Sequence, residues 1–77
     1  MIKRLLIANR GEIAIRVART AAALGVETVG VYTADDATSL HIKHADTVRA
    51  LPQAGVAGYL DIDALIAIAT DTGCDAV

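Results

Sequence analysis

The chain has no tryptophan and no phenylalanine, one proline and one cysteine, Cys74, among its 77 residues. A single cysteine excludes an internal disulfide, and such cysteine usage favours a reducing cytoplasm, which is the location we expect. Tyr32 and Tyr59 are the two aromatic residues, although 55% of the chain is hydrophobic. Ala, Val, Ile and Leu must therefore build the core, as is typical of strands that helices cover on both faces.

The chain also lacks the features that bind nucleic acid or lipid. Seven basic and nine acidic residues are spread along it, and the formal net charge is −2. Without a basic stripe, and with so few aromatic side chains, nucleic acid is not an expected partner. No apolar run approaches the ~20 residues of a membrane-spanning helix, so a membrane is not expected as a partner either. The polar pair Asn9-Arg10 ends the apolar start of the chain, and we therefore expect no signal peptide.

Hydrophobic periodicity predicts four strands that alternate with helices. The predicted strands are 4–8, 27–32, 47–51 and 75–77. Right-handed crossovers between such elements give a parallel sheet with the expected order 3-2-1-4. The predicted fold class is therefore α/β, a Rossmann-like doubly wound parallel sheet, and we expect it to be incomplete because the last strand stops within an element.

The helix between the first two strands is predicted from apolar residues spaced by four, four and three. Its predicted buried stripe is Ile13, Val17, Ala21 and Leu24. Glu12 and Arg16 form a favourable i, i+4 pair, and Gly25 occupies the position of a C-terminal helix glycine.

The rest of the chain is predicted as a short helix, a loop and a longer helix. The short helix covers 38–44 with Asp36 or Thr38 as its cap, and the loop covers 52–58. Asp61 caps the longer helix and Gly73 ends it. The predicted buried face of that helix is Ile62, Leu65, Ile66, Ala69 and Thr72.

Ligands of doubly wound sheets bind at the carboxyl ends of the strands, so the loop after the first strand is the first candidate site. A dinucleotide site needs a glycine-rich loop there, but 8–13 holds one glycine, Gly11, between long side chains. A nucleotide-binding oxidoreductase is therefore a distant alternative. Asp35 and Asp36 are predicted to be a solvated turn or helix cap.

Other chemically capable residues have ordinary structural explanations. His41 and His44 could share a helix face, but two histidines do not make a zinc site, so no metal site is predicted. Cys74 is predicted to be a small packed residue, and Tyr59 to pack with its hydroxyl reaching solvent. Arg16 and Arg19 lie on the polar face of the first helix, where both a solvated surface and a protein interface remain open.

One stretch and several later positions carry a family resemblance. The run Leu6-Ile7-Ala8-Asn9-Arg10-Gly11-Glu12-Ile13-Ala14-Ile15-Arg16 resembles the start of the biotin carboxylase family, which includes parts of acetyl-CoA, propionyl-CoA, pyruvate and urea carboxylases. Further matches follow in register along the whole chain: Gly25, Thr28-Val29, Asp35, Ser39-Leu40-His41, Ala45-Asp46, Tyr59-Leu60, Gly73 and Asp75-Ala76. Thr47 and Ala23 depart from the family pattern, which more often has an acidic residue at each place.

The resemblance implies an ATP-dependent ligase. In this family ATP phosphorylates bicarbonate, and carboxyphosphate then carboxylates the biotin of a carrier protein. The implied cofactors are ATP, Mg²⁺ or Mn²⁺, biotin and bicarbonate, none of them bound by residues 1–77 alone. We expect 1–77 to be the amino-terminal part of the N-terminal domain, without the ATP-grasp and C-terminal regions, and to contain no catalytic, cofactor-binding or metal-binding residue.

The resemblance also suggests roles for five residues and a set of partners. Asn9, Arg10 and Glu12 would face the active site or dock the other domains, and Arg16 and Arg19 would form a subunit interface. The implied partners are the remaining domains of the same chain, the biotin carboxyl carrier, the carboxyltransferase and a second copy in a homodimer. The rival hypothesis is a free-standing binding or interaction module with this fold and no carboxylase activity.

Overall fold

A computed structural model describes residues 2–36 and 40–77, with the backbone alone at 40 and 41. Three strands and three α-helices follow one another along it: β1 Arg4–Ile7, α1 Gly11–Ala23, β2 Glu27–Tyr32, β3 Thr47–Ala50, α2 Gly55–Tyr59 and α3 Ile62–Asp71. Short 3₁₀ helices cover Ala34–Asp36 and Leu40–His44. The predicted cap Thr38 and the start of the predicted helix 38–44 lie outside the described residues.

The three strands form one parallel sheet in the order β1-β2-β3. Arg4 pairs with Glu27 and Val29 pairs with Thr47, so the carboxyl ends of all three strands meet at one edge. The segment 75–77 lies along the other side of β1, where a single parallel bridge joins Leu5 to Ala76. The chain is therefore a mixed α/β structure with a three-stranded parallel sheet, in agreement with the predicted fold class.

Helix α1 packs on the sheet through alanines. Its buried residues are Ala14, Ala18 and Ala21. Ile13 and Leu24 are 61% and 74% exposed, so the predicted stripe was wrong at both positions. Ala21 is buried as predicted and Val17 is partly buried against the same cluster. The stripe is rotated towards Ala14 and Ala18 because small side chains let a helix lie close to a sheet, where isoleucine and leucine would hold it away. Gly25, with a φ of 74°, follows the end of α1 as predicted.

Helix α3 covers the opposite face of the sheet. The core on that side consists of Leu6, Val29, Val31, Leu51 and Tyr59, with Ala64, Leu65, Ile68, Ala69 and Cys74 packed against it. Ile7 belongs to the cluster under α1, and neighbouring strand residues point to opposite faces. Of the five residues of the predicted α3 face, Ile62 and Ile66 are exposed, so that prediction was wrong at two positions. The Asp61 carboxylate accepts the Ala64 N–H at 3.1 Å, which confirms the predicted cap.

The prediction of a loop over 52–58 was wrong at residues 55–58, which belong to the short helix α2. The Asp35 carboxylate, from the turn after β2, accepts the backbone N–H of Gly55 at 3.1 Å. A side chain distant in sequence thus satisfies the first N–H of α2, which local turn propensity does not reveal. Among the helices that the structure describes, none is long and apolar enough to cross a membrane.

Candidate functional site

The candidate site lies at the carboxyl edge of the sheet, where the turns after β1 and β2 approach each other. Arg10 follows β1, and its Nη2 donates to Oδ1 of Asp36, after β2, at 2.8 Å. The Asp36 side chain is 7% exposed and that of Arg10 is 50% exposed. The pair therefore joins a buried carboxylate to a cation that remains open to other molecules.

Tyr59, at the end of α2, completes this contact. Its hydroxyl donates to Oδ2 of Asp36 at 2.7 Å, and the side chain is buried. The Arg10 guanidinium carbon lies 5.6 Å from the centre of the Tyr59 ring, within the range of a cation–π contact. Burial, followed by the bond to Asp36, raises the pKa of Tyr59 above its ordinary value. We call these three residues the edge cluster.

Close packing behind Tyr59 sets its position. Gly58 is buried, and a Cβ there would lie 2.6 Å from Cγ2 of Thr33 and would also clash with the Gln53 carbonyl oxygen. Thr33 is fully buried at the end of β2. Because Gly58 has no side chain, α2 can approach Thr33 closely enough for the next residue, Tyr59, to reach Asp36.

The geometry of the edge cluster suits positioning better than proton transfer. The two oxygens of Asp36 accept from a guanidinium and a phenol, and both bonds favour its charged form. The cluster links the turn after β1, the turn after β2 and helix α2. It therefore holds together three segments at the edge where ligands of this kind of sheet bind.

The structure brings one of the three predicted edge residues into this cluster. Arg10 belongs to it, whereas Asn9 and Glu12 are exposed beside it. Glu12 pairs with Arg16 at 2.6 Å, as predicted for an i, i+4 pair. An active-site-facing or docking role for Asn9, Arg10 and Glu12 stays a prediction. Arg16 and Arg19 are exposed on α1, and their role at a subunit interface also stays a prediction.

Two predictions about this edge were wrong. Asp36 is not a solvated turn residue but a buried partner of Arg10, and the Tyr59 hydroxyl is bonded to Asp36 instead of reaching solvent. Sequence reasoning placed Arg10 and Asp36 after neighbouring strands without pairing them. Their opposite charges at the same sheet edge were the signal that could have revealed the contact.

The other chemically capable residues do not gather into a site. Within residues 2–36 and 40–77, no group of three or more His, Cys, Asp or Glu side chains is arranged to hold a metal ion. The Cys74 sulfur is half-buried and lies 3.3 Å from Oγ1 of Thr72. His44 is exposed, and the His41 side chain lies outside the described part of the chain. Glu27 pairs with Arg4 at 2.8 Å at the amino edge, away from the candidate site.

The fold and the edge sequence define the class of protein. The chain forms a parallel α/β sheet, and its first turn carries Asn9-Arg10-Gly11 instead of a glycine-rich loop. Its sequence matches the family model described as "Biotin carboxylase, N-terminal domain" over residues 1–77. The chain belongs to this family.

Individual relatives agree with the family match. Biotin carboxylase 1 of Bacillus subtilis is 46% identical over 78 residues, and the biotin carboxylase of Halalkalibacterium halodurans is 45% identical over the same length. Both alignments cover 100% of this chain and 17% of the relative. The chain thus spans about one sixth of the length of these relatives. The free-standing module is not favoured by these matches.

Solved structures are similar over nearly all of the chain. A single-chain, multi-domain long-chain acyl-CoA carboxylase is 53% identical with a TM-score of 0.92, covering 96% of this chain and 7% of that one. The biotin carboxylase domain of a single-chain bacterial carboxylase is 49% identical with a TM-score of 0.91, covering 94% of this chain and 17% of that one.

Proposed function

We propose that this chain is the amino-terminal scaffold of an ATP-dependent biotin carboxylase. The parent enzyme would use bicarbonate and ATP to convert the biotin of a carrier protein to carboxybiotin. The observation that carries this proposal is the family match over residues 1–77, supported by two bacterial relatives that align with the whole chain. The site geometry supports a scaffold, because the edge cluster joins the turns after β1 and β2 to helix α2 through two hydrogen bonds to Asp36.

The described residues do not fit a nucleotide or metal site of their own. Lys3 lies just before β1, at the amino edge, and Lys43 lies in the 3₁₀ helix Leu40–His44, so neither belongs to the edge cluster. The described side chains include no cluster of three or more His, Cys, Asp or Glu that could hold a metal ion. We therefore assign ATP, Mg²⁺ or Mn²⁺, biotin and bicarbonate to other regions of the parent enzyme.

The same proposal assigns a fourth strand to the sheet. Residues 75–77 would be its fourth strand, which gives the order 3-2-1-4. Two backbone hydrogen bonds support this assignment: Leu6 N–H to the Ala76 oxygen at 2.9 Å, and Asp75 N–H to the Arg4 oxygen at 3.0 Å. Residues 1–77 would then be the amino-terminal part of the N-terminal domain, with ATP-grasp and C-terminal regions following in the parent chain.

The partners follow from the same assignment. The ATP-grasp and C-terminal domains of the same chain would close against the edge that carries Asn9, Arg10 and Glu12. The parent would carboxylate the biotin of a carboxyl carrier, and the carboxybiotin would then supply a carboxyltransferase. A homodimer would use the exposed Arg16 and Arg19 of α1. The cytoplasmic location stays a prediction.

A chimera tests the proposed function. Residues 1–77 replace the matching segment of Bacillus subtilis biotin carboxylase 1, and phosphate release that depends on both bicarbonate and biotin is measured. We expect the chimera to be active, and two controls to be inactive: the relative with that segment deleted, and the isolated 77-residue chain. A folded chimera as inactive as the deletion would contradict the scaffold role, and activity of the isolated chain would contradict the assignment of catalysis to other regions.

A further inference from the structure

We propose that Asp36 and Tyr59 are positioning residues for Arg10. They hold the Arg10 side chain, and with it the turn 9–11, in one orientation at the carboxyl edge of the sheet. This inference rests on the proposed function, because the turn would be positioned for the biotin carboxylase reaction. It assigns a task to two buried residues at the carboxyl edge of the sheet.

The Asp36 carboxylate is fixed by two separate bonds. Oδ1 accepts from Arg10 at 2.8 Å, and Oδ2 accepts from the Tyr59 hydroxyl at 2.7 Å. A carboxylate held at both oxygens has a defined plane, and a planar guanidinium must match that plane to donate well. Tyr59 therefore orients Asp36, and Asp36 orients Arg10.

The Tyr59 ring restricts Arg10 from a second direction. The guanidinium carbon is 5.6 Å from the ring centre while Nη2 bonds to Asp36. Two contacts with different geometry leave a long side chain few rotamers. Arg10 is therefore held in place although half of its side chain is exposed.

The exposed part of Arg10 suggests what the positioning is for. A guanidinium has five N–H donors, and among the described residues Nη2 alone makes a hydrogen bond. The remaining donors are available to an acceptor, such as a carboxylate or phosphate oxygen, supplied from outside this chain segment. Arg10 lies in the turn after β1, at the edge where ligands of doubly wound sheets bind.

A second arginine–aspartate pair, between β3 and the end of α3, provides the control. Nη1 of Arg49 lies 3.0 Å from Oδ2 of Asp71, and both side chains are largely exposed. This pair has the same chemistry as Arg10–Asp36, but it lies beside α3, away from the edge cluster. Conservative substitutions in this pair show how the loss of an ordinary surface ion pair affects kcat.

The test introduces single substitutions into the active chimera. Three of them change the edge cluster: Arg10→Lys, Asp36→Asn and Tyr59→Phe. The control variants are Arg49→Lys and Asp71→Asn. In the edge-cluster variants we expect kcat to fall by about tenfold to a hundredfold, the range for a misplaced group, with the KM for ATP unchanged. Arg10→Lys keeps the charge beside Asp36 but loses the planar fork, so kcat should fall although the variant stays folded by circular dichroism. The control variants should leave kcat unchanged.

Limited trypsin digestion provides a readout that does not depend on activity. Trypsin must draw Arg10 out of the cluster to cut the bond between residues 10 and 11, so Asp36→Asn and Tyr59→Phe should speed cleavage there. Unchanged cleavage would overturn the positioning of Arg10, and faster cleavage with unchanged kcat would overturn its role in the reaction. A chimera inactive before any substitution would refute the proposed function, and cleavage would still decide whether the cluster holds Arg10.

Discussion

Replacement of Gly58 by alanine should destabilise the domain and release Tyr59 from Asp36. The added Cβ would lie 2.6 Å from Cγ2 of Thr33, and it would also clash with the Gln53 carbonyl oxygen. Backbone cannot move aside as a flexible side chain can, and Thr33 is fully buried. Helix α2 must therefore shift away from β2, carrying Tyr59 with it.

The structure sets the size of this effect. Overpacking in a close-packed region costs about 1–3 kcal/mol. Loss of the Tyr59 hydrogen bond to a charged acceptor adds about 1.5–3 kcal/mol. Together these two effects should lower the free energy of unfolding of the extended domain by about 2.5–6 kcal/mol.

Urea unfolding followed by circular dichroism measures the effect. The protein for this assay is residues 1–77 extended by the next strand and helix of the Bacillus relative, so that the domain melts cooperatively. Ala57→Ser, at the exposed neighbouring position, is the control and should have the wild-type midpoint. Thr33→Ser removes the methyl group that the new Cβ meets, and the double variant should recover part of the loss. A wild-type midpoint for Gly58→Ala would refute the close-packing argument.

Two further predictions concern the surface of α1 and the segment 75–77. Charge reversal at both Arg16 and Arg19 should shift the complete enzyme towards monomer in sedimentation without changing its circular dichroism, and an unchanged mass would favour a solvated face. The Asp75 carboxylate accepts the backbone N–H groups of Arg4 and Lys3, which lower its pKa below the ordinary 3.8. Its contribution to stability is therefore present above about pH 4 and is lost as the pH falls through the lowered pKa. The protection factors of the β1 amides, which correct for the intrinsic pH dependence of exchange, should fall over that range in the wild type but not in Asp75→Asn, and identical pH profiles would contradict this.

Local sequence signals predicted most of the fold. Strand β2 has its predicted bounds, Glu27–Tyr32, and the Asp61 cap and the Gly25 helix end are confirmed. Each of these features depends on residues close together in the chain. A cap needs one carboxylate and the next turn of backbone, and a buried strand needs a short apolar run.

Features that depend on distant residues were missed. The α1 stripe is rotated because alanines pack against the sheet, and hydrophobicity alone favours larger side chains. The first N–H of helix α2 donates to the Asp35 carboxylate, twenty residues before Gly55. The edge cluster joins Arg10 to Asp36 across 26 residues and Asp36 to Tyr59 across 23. Periodicity within one element contains no information about such contacts.

The isolated chain should be only marginally stable, and the exposed side of α2 and α3 gives the reason. Helix α3 contains no buried residue, although it is strongly apolar. The exposed apolar side chains here are Val56, Leu60, Ile62 and Ile66. The structure places a single bridge, Leu5–Ala76, where the proposed fourth strand would pair with β1.

Covering these four side chains would stabilise the domain considerably. Full burial of an aliphatic side chain contributes about 1.5–3 kcal/mol, so covering their exposed parts would add about 4–8 kcal/mol. That is comparable with the whole stability of a domain this small, and exposed apolar patches also favour association. We therefore expect the 77-residue chain to melt broadly and with a concentration dependence, and the extended chain to melt cooperatively at a higher temperature. A sharp, concentration-independent transition of the 77-residue monomer, no lower than that of the extended chain, would show that the three strands and α3 already bury enough apolar surface.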